Sequence, residues 1–208
     1  MNGARRILPL GDRGLLVELE DLDAVLALYE TLTAQRPPGV VDLVPAARTI
    51  GVTVDPAVLP LSVAHGWLAA AQPAPPATTV DLRPVVIPVR YDGEDLSAVA
   101  ELLGATAGEV VAWHTGSLWR VAFCGFAPGF GYLVTDHDRL RVPRRATPRT
   151  SVPAGAVGLA GEFSGVYPRS SPGGWQLIGS TDAVLWDPAA ERPALLAPGT
   201  AVRFVEAP

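Results

Sequence analysis

The chain has 208 residues, 49% of them hydrophobic and 18% charged, which excludes a disordered chain and fits one large domain or two small ones. The formal net charge of −5 argues against a general nucleic-acid surface, because such surfaces are broadly basic. No apolar run reaches the roughly 20 residues of a membrane span, and the apolar run at the N-terminus is too short for a secretory signal, so we expect a cytoplasmic protein.

Residues 1–79 are predicted to form a small α+β domain. Gly14–Leu19 is a candidate strand, and Asp21 can cap a helix with an apolar face from Leu22 to Leu32. Two further strands are expected, followed by a helix from about Pro56 with four apolar contacts. A strand within residues 80–89 would complete a ferredoxin-like order. The further strands are Val40–Val44 and Arg48–Val54, and the contacts are Leu59, Val63, Trp67 and Leu68.

The proline-rich segment Gln72–Thr79 is the best candidate linker, because such segments are extended and join a core poorly. It places a domain boundary there, although a surface loop within one body is also compatible with it. The chain then divides into residues 1–79 and 80–208.

Residues 80–208 are predicted to be mainly β, with two short helices near their start. The patterns predict a strand at Val85–Val89, a helix at Asp95–Leu103, and a capping box at Thr106 and Glu109 that opens a helix toward His114. Short apolar runs between glycines and prolines then indicate a sandwich or a closed barrel. These runs are Trp119–Phe123, Ser151–Val157, Val166–Tyr167, Trp175–Ile178, Ala183–Trp186, Ala194–Leu196 and Val202–Val205.

The segment Gly125–Leu133, GFAPGFGYL, is predicted to be a loop of fixed shape whose N–H groups can approach a ligand closely. The arginine-rich segment Pro143–Arg149 follows, and residues 139–161 hold five arginines and no acid. Guanidinium groups bind carboxylates and phosphates through two parallel hydrogen bonds, which favours an anion site. A solvated, charged strand face is the alternative.

A second glycine-rich turn, Ser170–Gln176, can form an N–H nest for an anion, or can be a plain hairpin that carries Trp175 into the core. His114 is a candidate general base or a packing residue at a helix end. Cys124, the only cysteine, lies in an apolar run that favours a buried side chain over a nucleophile. The chain contains no lysine, which excludes a P-loop, and its three histidines lack the spacing of a metal site.

Seven ordered motifs resemble one family, which comprises allophanate hydrolase subunit 1, the B subunit of 5-oxoprolinases and the kinase inhibitor KipI. The resemblance covers residues 80–206 strongly and the first domain weakly. The motifs are IPVRYDGEDL, WHTG, FCGFAPGFGYL, VPRRATPRTSVPAGAVGLAG, GVYPRSSPGGWQLIGST, LWDP and LLAPGTAVRF.

The resemblance implies a cyclophilin-like barrel after the first domain. It also implies a partner chain, the 2 or C subunit of the same family, with the A subunit as a possible third. The activity implied is that of a non-autonomous part of a hydrolase that opens 5-oxoproline to glutamate, with ATP bound by the complex. The alternatives are the carboxyltransferase half of a urea or amide carboxylase and a histidine kinase inhibitor. A small anionic substrate is expected, with neither nucleic acid nor membrane as a partner.

The predicted site combines two catalytic residues, His114 and Arg145, with residues that bind substrate or an anion. No metal ligand is predicted. The binding residues are Gly125, Phe126, Pro128, Gly129, Tyr132, Arg144, Arg149, Tyr167, Ser171, Gly173, Gly174 and Gln176.

Overall fold

The computed structural model, which describes residues 5–74 and 83–207, divides the chain into two units, residues 1–81 and 82–208. The first unit is an antiparallel sheet, in the order β1-β2-β4-β3, with two helices. Alternate strand residues such as Val17 and Val52 are buried against α1 residues such as Leu28. The elements are β1 (Arg6–Leu10), β2 (Gly14–Glu18), α1 (Leu22–Ala34), β3 (Val40–Pro45), β4 (Thr49–Val54) and α2 (Leu61–Ala70).

The predicted order of β2, α1, β3, β4 and α2 agrees with the structure. The prediction that a strand within residues 80–89 completes this sheet is wrong. Val85–Val89 lies in the second unit, and Arg6–Leu10 takes the edge position beside β2. This edge strand forms because residues 11–13 make a short hairpin turn, in which Gly11 has φ +68°. The ferredoxin-like arrangement is therefore not confirmed.

Helix α1 begins where the sequence predicts, because the Asp21 carboxylate accepts the Ala24 N–H at 2.8 Å. Helix α2 begins at Leu61 and not near Pro56. Pro60 has no N–H to continue a helix started four residues earlier, so it becomes the cap residue instead. Val63, predicted to be an apolar contact of this helix, is 55% exposed.

The second unit is mainly β, with a seven-stranded sheet in the order β12-β9-β10-β7-β6-β13-β5. A separate pair, β8 and β11, and two helices accompany it. The elements are β5 (Val85–Val89), α3 (Leu96–Leu103), α4 (Ala107–Gly116), β6 (Trp119–Cys124), β7 (Gly131–Val134), β8 (Arg149–Val152), β9 (Ala156–Ala160), β10 (Phe163–Val166), β11 (Ser171–Gly173), β12 (Gln176–Ser180) and β13 (Ala201–Glu206).

The two edge strands of this sheet meet at a seam, which nearly closes it into a barrel. Arg90, directly after β5, exchanges two backbone hydrogen bonds of 2.8 Å with Ser180 of β12. Farther along, the Asp95 N–H donates to the Leu177 carbonyl at 2.9 Å. The sheet is therefore consistent with the predicted cyclophilin-like barrel, and few backbone groups of β12 are left unpaired at its edge.

Several short runs of the second unit differ from their predictions. Gly131–Leu133, predicted to belong to the loop, lies in β7, and the run 151–157 is split between β8 and β9 by a turn at Gly155, whose φ is +80°. The runs 183–186 and 194–196 form only one bridge, between Trp186 and Ala194. The predicted capping box is confirmed, because Thr106 and Glu109 bond each other reciprocally.

Within residues 5–74 and 83–207 no single helix is long and apolar enough to cross a membrane. Helices α3 and α4 pass the length and composition criteria only when they are taken together, and the chain bends by 89° between them.

Candidate functional site

The glycine-rich loop between β6 and β7 contains a strained residue. The Ala127 N–H donates to the Gly125 carbonyl at 2.8 Å and closes a γ-turn around Phe126, whose φ is +68°. This backbone conformation costs on the order of 1–3 kcal/mol for a residue with a Cβ. The Phe126 side chain is nevertheless 58% exposed, so burial of the ring does not fully offset the strain. Such residues are candidates for ligand contacts.

The loop holds its shape through its own hydrogen bonds. The N–H groups of Gly125, Ala127 and Phe130 all donate to carbonyls of the loop, which argues against anion binding by these three groups. At Gly129, whose φ is +81°, an added Cβ would lie 2.8 Å from the Trp186 Cβ, which shows how closely the loop packs there. Pro128 is exposed at the turn.

Seven aromatic side chains pack beside this loop and are called the aromatic cluster. Phe130 is central, with its ring centroid between 5.0 and 5.4 Å from those of four others. The Phe126 ring also lies edge-on to Tyr167, at 6.2 Å. Four of the rings (Phe123, Phe130, Tyr167 and Trp175) are buried, and Phe126 is the exposed member that a flat ligand can pack on. The cluster comprises Phe123, Phe126, Phe130, Tyr132, Phe163, Tyr167 and Trp175.

The second glycine-rich turn lies against this cluster. A Cβ added at Gly173 would overlap the Tyr167 hydroxyl oxygen, so only glycine allows this approach. The Arg145 N–H donates to the Gly174 carbonyl at 2.8 Å, and the Gln176 side-chain amide donates to the Pro143 carbonyl at 3.2 Å. These bonds join the arginine-rich segment to the turn, as the sequence prediction of one shared site requires.

Two of the predicted anion-binding arginines are bound to a buried carboxylate. Arg145 Nη1 lies 2.6 Å from Asp95 Oδ1, and Arg149 Nη2 lies 2.8 Å from Asp95 Oδ2 and 3.1 Å from Glu94 Oε2. Asp95 is only 4% exposed and also accepts the Leu177 N–H at 2.7 Å. The geometry therefore argues against a free, catalytic Arg145 and against Arg149 as an anion site.

Burial opposes the ionisation of Asp95, but its hydrogen bonds from Arg149 and Leu177, with the two positive charges, outweigh burial and lower its pKa. This role was not predicted from the sequence, which places Asp95 at the start of α3. The Asp95 carboxylate makes no cap hydrogen bond there. Nothing local marks the aspartate as the partner of arginines some 50 residues away.

Arg144 differs from its neighbours. It is exposed, and within the described part of the chain no carboxylate lies within 4.0 Å of it. Burial raises the pKa values of Tyr132 and Tyr167. The positive charge of Arg144 opposes this at Tyr132, and at Tyr167 a hydrogen bond with the Trp175 backbone opposes it more strongly than the charge of Arg144 does. Ser171 pairs with buried Val152 across β11 and β8, and its buried Oγ has no hydrogen-bond partner among the residues described.

His114 lies in the interior of the second unit and is completely buried. Its Nδ1 is 2.7 Å from the Tyr91 hydroxyl, its Nε2 is 2.9 Å from Ser164 Oγ, and its ring stacks on Phe204 at 4.3 Å. Burial lowers the pKa of His114 to about 3. The geometry supports a neutral packing residue and argues against the predicted general base, because no substrate in solution reaches it.

Cys124 is not arranged as a nucleophile. Its thiol donates to the Leu196 carbonyl at 3.0 Å, and burial raises its pKa. Among residues 5–74 and 83–207, no group of three or more His, Cys, Asp and Glu side chains is placed to hold a metal ion. Of the predicted site residues, the Phe126 loop, Tyr132, Tyr167 and Gly173 come together, and the backbone on both sides of Arg144 is hydrogen-bonded to Gly174 and Gln176.

Comparison with known proteins gives a consistent set of relatives. Residues 5–196 match the model of the family described as carboxyltransferase domain, subdomain C and D. The chain is 40% identical to the B subunit of the 5-oxoprolinase of Escherichia coli O157:H7, over 94% of this chain and 93% of the relative.

The fold of this chain also resembles those of solved crystal structures. The crystal structure of TTHA0988 matches it with a TM-score of 0.77 and 40% sequence identity, and the match covers 94% of this chain and 40% of the TTHA0988 chain. The K. lactis urea amidolyase has a TM-score of 0.78 at 20% identity, over 98% of this chain and 15% of the enzyme, which is a likeness in fold.

Proposed function

The chain belongs to the carboxyltransferase domain, subdomain C and D family, together with the B subunits of 5-oxoprolinases, and we propose that it is such a subunit in an ATP-dependent 5-oxoprolinase. The observation that carries this proposal is the identity to the Escherichia coli protein, which extends over nearly the whole of both chains. The complex would hydrolyse the ring amide of 5-oxoproline to give glutamate.

The geometry supports a subunit that binds substrate but does not complete the reaction alone. His114 is buried, and the thiol of Cys124 is half-buried with a raised pKa. The candidate site instead offers the exposed Phe126 ring, the half-buried Tyr132 and the exposed Arg144. We therefore propose that the groups that activate water or the amide come from a partner, with the C subunit as the first candidate and the A subunit as the second.

We propose that ATP is bound elsewhere in the complex. A triphosphate needs several cationic or N–H donors converging on its oxygens. The chain has no lysine, Arg145 and Arg149 already bind Asp95, and three N–H groups of the Phe126 loop are used within the loop. These two arginines and three N–H groups are therefore not available to bind a triphosphate.

Co-expression with the partner subunits, followed by purification of the complex, tests this function. The expected result is release of glutamate from 5-oxoproline that requires ATP. A stably assembled complex that releases no glutamate would contradict the proposal.

A second candidate, the carboxyltransferase part of a urea or amide carboxylase, is favoured by the name of the matched family and by the fold of the urea amidolyase. It predicts transfer of a carboxyl group from a carboxylated biotin carrier to urea, which leaves the carrier with biotin that has lost its carboxyl group. The two activities can be measured on one preparation, so transfer to urea without glutamate release would replace the first proposal by the second.

A further inference from the structure

We propose that an exposed apolar ridge on the second unit, formed by Phe126, Pro128, Val184 and Trp186, is the surface on which the C subunit of the complex docks. The choice of partner rests on the proposed function, in which another subunit supplies the reacting groups. The ridge borders the candidate site at Phe126, so a subunit bound there brings its own groups to that site.

The ridge is built from two segments that pack directly on each other. A Cβ added at Gly129, next to the exposed Pro128, would lie 2.8 Å from the Trp186 Cβ and 3.0 Å from the Leu185 carbonyl oxygen. Leu185 is buried in the core, whereas Val184 and Trp186 on either side of it are exposed. The buried leucine therefore anchors the second segment and leaves its two neighbours facing solvent.

Phe126 is held outward at an energetic cost. Its φ is +68°, which is strained for a residue with a Cβ, and its ring lies edge-on to the buried rings of Phe130 and Tyr167. These contacts fix the inner edge of the ring and leave most of it in solvent. A protein surface that covers the exposed part of the ring would offset the strain through apolar burial.

No charge interrupts the ridge. Residues 121–135 and 183–186, which contain its four members, include no charged side chain. The exposed charged residues Asp187, Glu191 and Arg192 follow the second segment. An apolar, aromatic centre that lacks charge, beside a polar border, is the composition of a protein–protein interface. The partner surface that fits this ridge is therefore itself apolar and uncharged at its centre.

A different subunit satisfies these observations better than a second copy does. His114 is buried and the Cys124 thiol already has an internal acceptor, so a second copy would bring the same blocked groups and none of the missing ones. The match to TTHA0988 takes 94% of this chain but only 40% of that one, so there the same fold belongs to a much larger chain. A surface for further protein beside the candidate site agrees with both facts.

The test measures the dissociation constant between this chain and the C subunit, by sedimentation velocity over a dilution series of the co-purified complex. Val184→Asp places a charge on the ridge, and Phe126→Asn removes the ring with a residue that tolerates positive φ. Each should weaken binding at least about 30-fold, as for an interface hot spot. The matched control Val86→Asp makes the same change at an exposed position on β5 and should alter binding less than about 2-fold.

Unchanged binding in both ridge variants, an equal loss in Val86→Asp, or a C subunit that does not bind the wild-type chain would overturn the inference. A ridge variant that dissociates a dimer of this chain but still binds the C subunit would overturn it too. Melting followed by circular dichroism shows that each variant is folded, and the two variants lie in separate segments, so a folding defect in one leaves the other as the test. Failure of the proposed function is a distinct result, in which a complex assembled through the ridge releases no glutamate with ATP.

Discussion

Replacing Asp95 by alanine should destabilise the second unit strongly, although Asp95 is not placed to touch a substrate. The change removes the carboxylate that neutralises Arg145 and Arg149, and it leaves the buried Leu177 N–H without its acceptor. Breaking a buried ion pair costs about 3–5 kcal/mol, and an unsatisfied buried donor costs about 1–3 kcal/mol. Since Arg145 is partly exposed and can be rehydrated, we expect a total loss of about 3 kcal/mol in the free energy of unfolding.

Urea unfolding followed by tryptophan fluorescence measures this loss, because four of the five tryptophans lie in the second unit. The matched control is Asp182→Ala, which removes an exposed carboxylate that pairs with Arg90 beside the same seam. That pair is exposed to solvent and should matter far less. Equal unfolding midpoints for the Asp95 and Asp182 variants would show that burial of the Asp95 ion pairs is not what stabilises the unit.

The pH dependence gives an independent check on Asp95. Its pKa in the folded chain is lowered from 3.8, so its contribution to stability is present above that value and is lost as pH falls through the lower, folded-state pKa. The difference in unfolding free energy between the wild type and Asp95→Asn should therefore be constant near neutral pH and shrink in acid. A difference that persists unchanged at the lowest pH would show that the carboxylate charge is not its source.

Three other sites give sharp expectations. Because the pKa of His114 is lowered from 6.5 to about 3, the unfolded chain binds a proton below pH 6.5 that the folded chain does not. Relative to His114→Gln, the free energy of unfolding should therefore fall by about 1.4 kcal/mol per pH unit below 6.5. Parallel curves of unfolding free energy against pH for the two proteins would contradict this. Phe126→Gly should leave thermal stability nearly unchanged or slightly higher, because it removes backbone strain. Phe130→Ala, which truncates a buried ring, should lower the free energy of unfolding by about 3–5 kcal/mol. Equal losses in the two variants would show that the Phe126 ring is structural. Gly173→Ala should lower both thermal stability and 5-oxoproline binding, because the added Cβ meets a tyrosine hydroxyl. The control Gly108→Ala, which has open space around it in α4, should be neutral or stabilising. Scanning calorimetry measures the stability and titration measures the binding.

The parts of the fold that could be predicted are those set by neighbouring residues. Asp21 and the pair Thr106 and Glu109 begin helices through hydrogen bonds that span three residues, so sequence spacing is enough to find them. The strand at Arg6–Leu10 and the sheet that receives Val85–Val89 depend on partners far along the chain. The apolar pattern of a strand identifies its faces but not its neighbour.

The candidate site shows the same division between local and distant partners. Composition draws attention to the arginine-rich segment, but three nearby arginines have the same sequence signature whether they bind a ligand or an internal acid. Only the position of Asp95 separates Arg144 from Arg145 and Arg149. In the same way, His114 resembles a general base beside small polar residues, and only the packing of Phe204 and Ser164 around it explains its burial.

If the chain is a necessary part of a 5-oxoprolinase, ATP-dependent release of glutamate from 5-oxoproline by reconstituted subunits must depend on it. The rate is measured with the full set of subunits and again with this chain left out. We predict glutamate release only when this chain is present. The same rate without it, or no release by the complete, assembled complex, would contradict the proposed function.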